Sequence, residues 1–209
     1  MNQNIDPILR ADLQRVAEIF PPWEELRDKS VFITGSTGES AHMQLTERKE
    51  NMAAWGEAGK KYGIDVIVHT GGNCVYDGRE LAAYAAECGA TGTASNSPCY
   101  FKPGSIDLLV DSLAVAASGA PELPFYFYDI PVLTHVGFNP CKMIEACAKK
   151  IPNFVGVKFT NPDLALYMDA LNYDGGKYFN ELSPLGIAGS FHIVAFDTAT
   201  LAAHTNGNI

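Results

Sequence analysis

The stretch Lys60-Lys61-Tyr62-Gly63-Ile64-Asp65-Val66-Ile67-Val68-His69 carries the two signals on which the architecture turns. Two cations followed by glycine end a helix: the charges meet the negative end of its dipole, and glycine adopts the left-handed conformation that stops it. Asp65–His69 then reads as a strand. Its apolar residues do not alternate with polar ones, as expected of a strand covered on both faces. Upstream, Thr46 with Glu47 and Glu50 marks the start of the helix.

The same unit recurs on either side. Further strands are expected at Ser30–Thr34, Gly92–Ser97, Pro124–Tyr128, Asn153–Phe159, Tyr178–Leu182 and Gly186–Phe191. Asp77 with Glu80 reads as a variant capping box, and Gly89 ends that helix. Ser105 opens a helix that carries Leu108, Leu109 and Leu113 and stops at Gly119. Asn139-Pro140 and Asn161-Pro162 each set a capping residue before proline at the first helical position. Strand starts return at roughly thirty-residue intervals, one βα unit each. Repeated units of this kind build a doubly wound sheet or a TIM barrel. Gly35-Ser36-Thr37-Gly38 lacks the GxGxxG spacing of a dinucleotide site. The expected class is therefore α/β, a TIM (β/α)8 barrel forming one domain over residues 1–209.

Composition narrows the partners. With 209 residues, 47% of them hydrophobic, the chain can build one well-cored domain. The formal net charge is -9 with no basic stripe, so nucleic acid is not an expected partner. An anionic ligand must be held by local donors, not by the overall field. Five cysteines, none in a CxxC pair, fit reduced thiols in the cytoplasm. The first twenty residues carry Asp, Arg and Glu without an apolar core, so no secretory signal is expected, and no apolar run is long enough to span a membrane.

In a barrel, chemistry sits at the C-terminal ends of the strands. Three ends stand out. Thr34-Gly35-Ser36-Thr37-Gly38-Glu39-Ser40 sets two hydroxyls between glycines. Such a turn either cradles an anion, better a carboxylate than a polyphosphate since no P-loop lysine follows, or is an ordinary Gly/Ser connection. In Phe125-Tyr126-Phe127-Tyr128, alternation puts both tyrosines on one face, as core aromatics or with a hydroxyl presented to a site. In Phe154-Val155-Gly156-Val157-Lys158-Phe159-Thr160, a lysine interrupts an apolar strand. Desolvation lowers a lysine's pKa and yields the neutral amine that Schiff-base formation with a ketone requires. The alternative is a lysine that reaches past the strand end to solvent. Together the three ends supply an anion cradle, a phenol and an amine, matching the carboxylate and ketone of pyruvate. An iminium is itself an electron sink, so no metal or cofactor is expected. The five histidines show no ligand spacing and read as structural or solvated.

These phrases resemble the N-acetylneuraminate lyase and dihydrodipicolinate synthase family of class I aldolases. The resemblance rests on Phe32–Ser40 (FITGSTGES), Ser97–Pro103 (SPCYFKP), Leu123–Pro131 (LPFYFYDIP) and Gly156–Thr160 (GVKFT), in register over Ser30 to Asp163. Leu133-Thr134-His135, with no arginine, favours the lyase branch. The resemblance implies a TIM barrel, usually a homotetramer, that reversibly splits N-acetylneuraminate (a sialic acid) into pyruvate and N-acetylmannosamine. It implies Lys158 as the Schiff-base residue and Tyr128 as proton relay, with Ser36 and Thr37 binding the pyruvate carboxylate. Thr160 and Ser190 would contact the sugar, and Tyr100 would lie near a neighbouring subunit's site. The family's first strand, with its Thr-Pro-Phe, is not recognisable before Arg10–Phe20. Phe179–Pro184 stands where the family carries Gly-x-Asp-Glu, and the C-terminal helices are absent. A barrel shortened in this way leaves two other readings open: a non-catalytic family member, and an aldolase for another 2-keto-3-deoxy acid.

Overall fold

The computed structural model describes residues 30–33, 43–161 and 163–176. The elements run β1 (Ser30–Ile33), α1 (Leu45–Tyr62), β2 (Asp65–His69), α2 (Val75–Cys88), β3 (Gly92–Asn96), α3 (Ile106–Ala117), β4 (Phe125–Asp129), α4 (Pro131–Thr134), α5 (Pro140–Lys150), β5 (Phe154–Phe159) and α6 (Leu164–Asn172), closed by a short turn at Tyr173–Gly176. No helix among the described residues is long and apolar enough to cross a membrane. The strands expected at Tyr178–Leu182 and Gly186–Phe191 lie outside the described residues.

All five strands are parallel, in the order β1-β2-β3-β4-β5. Strand order identical to chain order means that every crossover steps the same way. With right-handed crossovers, the helices then collect on one face. A doubly wound sheet would reverse its order at a switch point. The sequential winding is that of a barrel.

The helix-facing side of the sheet holds the core. Val66 and Val68 pack with Met52, Leu81 and Ala85. Phe125, Phe127, Val157 and Phe159 pack with Leu109, Leu113, Met143, Ile144 and Ala170. Each large side chain buried here contributes about 1.5–3 kcal/mol. The opposite face carries Ile67, His69, Ala94, Asn96, Tyr126, Tyr128, Gly156 and Lys158, matched strand to strand by register.

One irregularity sets the phase of that inner face. Phe125 pairs with Phe154, yet the next residue, Tyr126, pairs with Gly156. Val155 is therefore an extra residue in β5. A one-residue step inverts the faces of a strand. The bulge lets Phe154 join the helix-side core while Gly156 and Lys158 share the face of Tyr126 and Tyr128.

The helix ends follow the sequence signals in part. Gly63 and Gly89 end α1 and α2 with φ of 65° and 90°, the left-handed region that glycine enters without steric cost. Ser105 and Asn139 cap α3 and α5 by accepting from the N–H groups of Leu108 and Lys142. Three starts differ from expectation. Gln44, not Thr46, caps α1, closing a reciprocal box with Glu47. Cys74 precedes α2, which places Asp77 inside the first turn. There its charge favours the helix dipole without capping. Asp163, not Asn161, caps α6, its carboxylate accepting from the N–H groups of Ala165 and Leu166. Its charge makes it the stronger acceptor of the two.

Candidate active site

The C-terminal ends of β2 to β5 bring four inner-face side chains together. Asn96, Tyr128 and Lys158 occupy matched positions on three adjacent strands, and His69 closes the row on β2. Lys158 Nζ lies 3.8 Å from the centre of the Tyr128 ring. The His69 ring meets the same tyrosine edge-on, with centroids 5.7 Å apart. His69 Nε2 stands 3.2 Å from Asn96 Oδ1.

Burial sets the charge states. Desolvation lowers the Lys158 ammonium from 10.5 to about 7, so a large fraction is the free amine at neutral pH. Burial pushes the Tyr128 phenol up to about 12, against an opposing hydrogen bond with the Thr160 side chain. Tyr128 therefore keeps its proton at neutral pH. Burial, then the nearby charge of Arg48, drives His69 down to about 3. The imidazole is neutral and adds no second cation beside Lys158.

Thr160, just beyond β5, ties the strand ends together. Its hydroxyl donates to the Asp129 carbonyl at 2.6 Å, and its N–H donates to the same oxygen at 3.0 Å. Tyr100 stands on the β3–α3 loop, its backbone N–H donating to Asn73 Oδ1 at 3.0 Å. Its ring is exposed and stacks edge-on with Phe101. Ser36, Thr37 and Ser190 lie outside the described residues.

An amine of lowered basicity beside a protonated phenol, at the open end of a sequentially wound parallel sheet, matches the chemistry expected of one family. The sequence pattern of the Dihydrodipicolinate synthetase family covers residues 27–179. The chain belongs to this family. N-acetylneuraminate lyase from Homo sapiens is 39% identical over 136 residues, 65% of this chain and 42% of that protein. The match thus spans less than half the length of that curated relative. Among solved structures, Proteus mirabilis N-acetylneuraminate lyase aligns with a TM-score of 0.68 at 31% identity, covering 86% of this chain and 65% of that one. The Aliivibrio salmonicida N-acetylneuraminate lyase (sialic acid aldolase) gives 0.68 at 29%, with 89% and 67% covered. The Dihydrodipicolinate synthetase family fold is the TIM barrel, and β1–β5 are consecutive units of it.

Three residues of this family member escape a reading by motif. His69 is buried at 4% exposure, in contact with the site and not solvated. Its signal was its place as the last residue of an apolar strand, not its spacing from other histidines. Arg48 is a buried cation on α1 whose Nη2 donates to the carbonyls of His69 and Gly71, at 3.2 and 2.9 Å. Asp129 is buried beside Tyr128, with Oδ2 lacking a hydrogen-bond partner, and burial lifts its carboxyl from 3.8 to about 7. Arg48 lies in none of the motifs, and Asp129, although it lies within Leu123–Pro131, takes no role from that motif, because burial is not a property of the local sequence.

Proposed function

We propose that the protein is a Schiff-base aldolase of the N-acetylneuraminate lyase type, cleaving a 2-keto-3-deoxy sugar acid to pyruvate and an aldehyde. The observation that carries this reading is Lys158: an amine titrating near 7 with Nζ against the Tyr128 ring. The relatives named N-acetylneuraminate lyase support N-acetylneuraminate as the substrate, and its cleavage beside C3 would make N-acetylmannosamine the aldehyde product.

The chemistry follows from the groups present. The neutral Lys158 amine adds to the C2 ketone, and the carbinolamine takes up a proton from water and loses its hydroxyl as water to give a protonated iminium. Cleavage of the C3–C4 bond sends its electron pair toward the iminium nitrogen, forming an enamine. The C4 hydroxyl becomes the aldehyde carbonyl as it loses its proton. In cleavage the Tyr128 phenol relays that proton, taking it from the C4 hydroxyl as its own passes to water, and in the condensation direction the relay runs back to the developing alkoxide. The enamine takes a proton at C3 through the same Tyr128 relay, and addition of water to the iminium releases pyruvate, one proton and the neutral amine. Ser36 and Thr37 are the proposed carboxylate donors, and Thr160 and Ser190 the proposed sugar contacts. Tyr100 is proposed to reach a neighbouring subunit's site in a homotetramer. The cytoplasm, with its reduced thiols, is the proposed compartment, and residues 1–209 are read as one domain.

Borohydride reduction in the presence of pyruvate, followed by peptide mass analysis, tests the reading. A reduced pyruvyl adduct on Lys158 supports it, and a panel of 2-keto-3-deoxy acids then separates N-acetylneuraminate from its relatives. A folded sample that yields no adduct replaces it with a non-catalytic family member.

A further inference from the structure

The residues around Tyr128 form a second, smaller structure within the site. His69 sits at the end of β2 with its ring edge-on to Tyr128 and Nε2 on Asn96 Oδ1. Asn96 ends β3 in direct register with Tyr128. A Cβ built on Gly71 would lie 2.2 Å from Asn96 Oδ1 and 2.8 Å from His69 Nε2, so the Gly71 backbone closes over the pair. Arg48 in turn grips the carbonyls of His69 and Gly71, holding both ends of that closure from α1. Three elements thus converge on His69, whose ring meets the phenol, and on Asn96, which holds that ring from the register position beside Tyr128.

We infer that His69 and Asn96 act as a brace that fixes the Tyr128 ring for proton transfer, making both positioning residues of this site. The inference rests on the aldolase reading of Lys158 and Tyr128. The bond to Asn96 Oδ1 requires a proton on Nε2 and selects that tautomer of a ring that carries no charge at neutral pH. A neutral ring is what this place demands. An imidazolium here would repel the protonated iminium, whereas the neutral edge packs on the phenol and leaves the electrostatics to Lys158. Proton transfer depends steeply on donor placement, and misplacement by about 1 Å costs on the order of 100-fold.

The test reads exchange of the pyruvate methyl protons in deuterated water by NMR, in the full chain. Exchange needs the Lys158 iminium and a proton-transfer group but no sugar. Rates are taken at saturating pyruvate and divided by the fraction of sites trapped with borohydride, which removes unfolded protein from the comparison. His69→Phe and Asn96→Leu are expected to trap at wild-type pyruvate concentrations while exchanging roughly 10–100-fold more slowly per trapped site. Tyr128→Phe marks the full loss. The brace is overturned when both variants exchange within about threefold of wild type, or when Tyr128→Phe leaves exchange unchanged. Wild-type protein that neither traps nor exchanges overturns the aldolase reading, and the brace with it.

Discussion

Lys158 faces Tyr128 across β4 and β5, Nζ 3.8 Å from the ring centre, because Val155 is an extra residue in β5. Counted as a regular pair from Phe125 and Phe154, Lys158 would fall opposite Asp129 on the helix side. The bulge restores the phase, so the local irregularity of the strand is what delivers the amine to the inner face.

Trapping with pyruvate should follow the titration of that amine. The initial rate is expected to rise through a midpoint near pH 7 and level off above it, because burial has lowered Lys158 to about 7. A midpoint near 10 would mean an ordinary exposed lysine. Lys158→Met should abolish the adduct. It should also leave the melting temperature at pH 6 at or above the wild-type value. A lysine whose folded pKa lies below its unfolded one lends stability only at high pH, and that stability is lost as pH falls toward 7.

Tyr128→Phe should separate the two halves of the chemistry. The ring remains to pack against His69 and Lys158, so the borohydride adduct is expected at wild-type yield. Aldol cleavage is expected to fall by about 100-fold or more, the scale of losing a positioned proton-transfer group. Steady-state turnover and trapping, measured on one preparation, give both values. Cleavage within a few-fold of wild type would remove the phenol from the mechanism.

Asp129 predicts a pH dependence of stability. Its carboxyl rises from an ordinary 3.8 to about 7 through burial, so above pH 4 the folded state holds a proton that the unfolded state releases. Stability is therefore expected to fall as pH rises from about 4 to about 7 and to change no further on this account. Asp129→Asn should raise the melting temperature at pH 8 and leave it near wild type at pH 4. The shift sets an upper limit of about 4 kcal/mol. Equal melting curves for the two proteins at pH 8 would contradict the burial argument.

Arg48→Met should destabilise the fold without reaching the chemistry directly. The change strands two carbonyl oxygens, those of His69 and Gly71, that Nη2 now satisfies. A loss of about 1–3 kcal/mol is expected in denaturant unfolding. An unchanged midpoint would mean that water replaces the guanidinium at no cost.

The βα rhythm was legible in the sequence, since strands buried on both faces read as unbroken apolar runs and glycines with φ above zero mark helix ends. Asp65–His69 and Gly63 fall where those rules place them. The caps at Gln44, Cys74 and Asp163 did not, because several polar residues near a helix start compete and only backbone geometry chooses among them.

By itself, the sequence determined which chemistry the chain carries: an amine, Lys158, within an apolar strand, and a phenol, Tyr128, near the end of another. Those are properties of side chains and of short-range alternation. Only the tertiary structure decided that the two meet, that His69 and Asn96 join them, and that Lys158 titrates near 7. Register, the Val155 bulge and desolvation are made by residues far apart in the chain, and no local pattern encodes their sum.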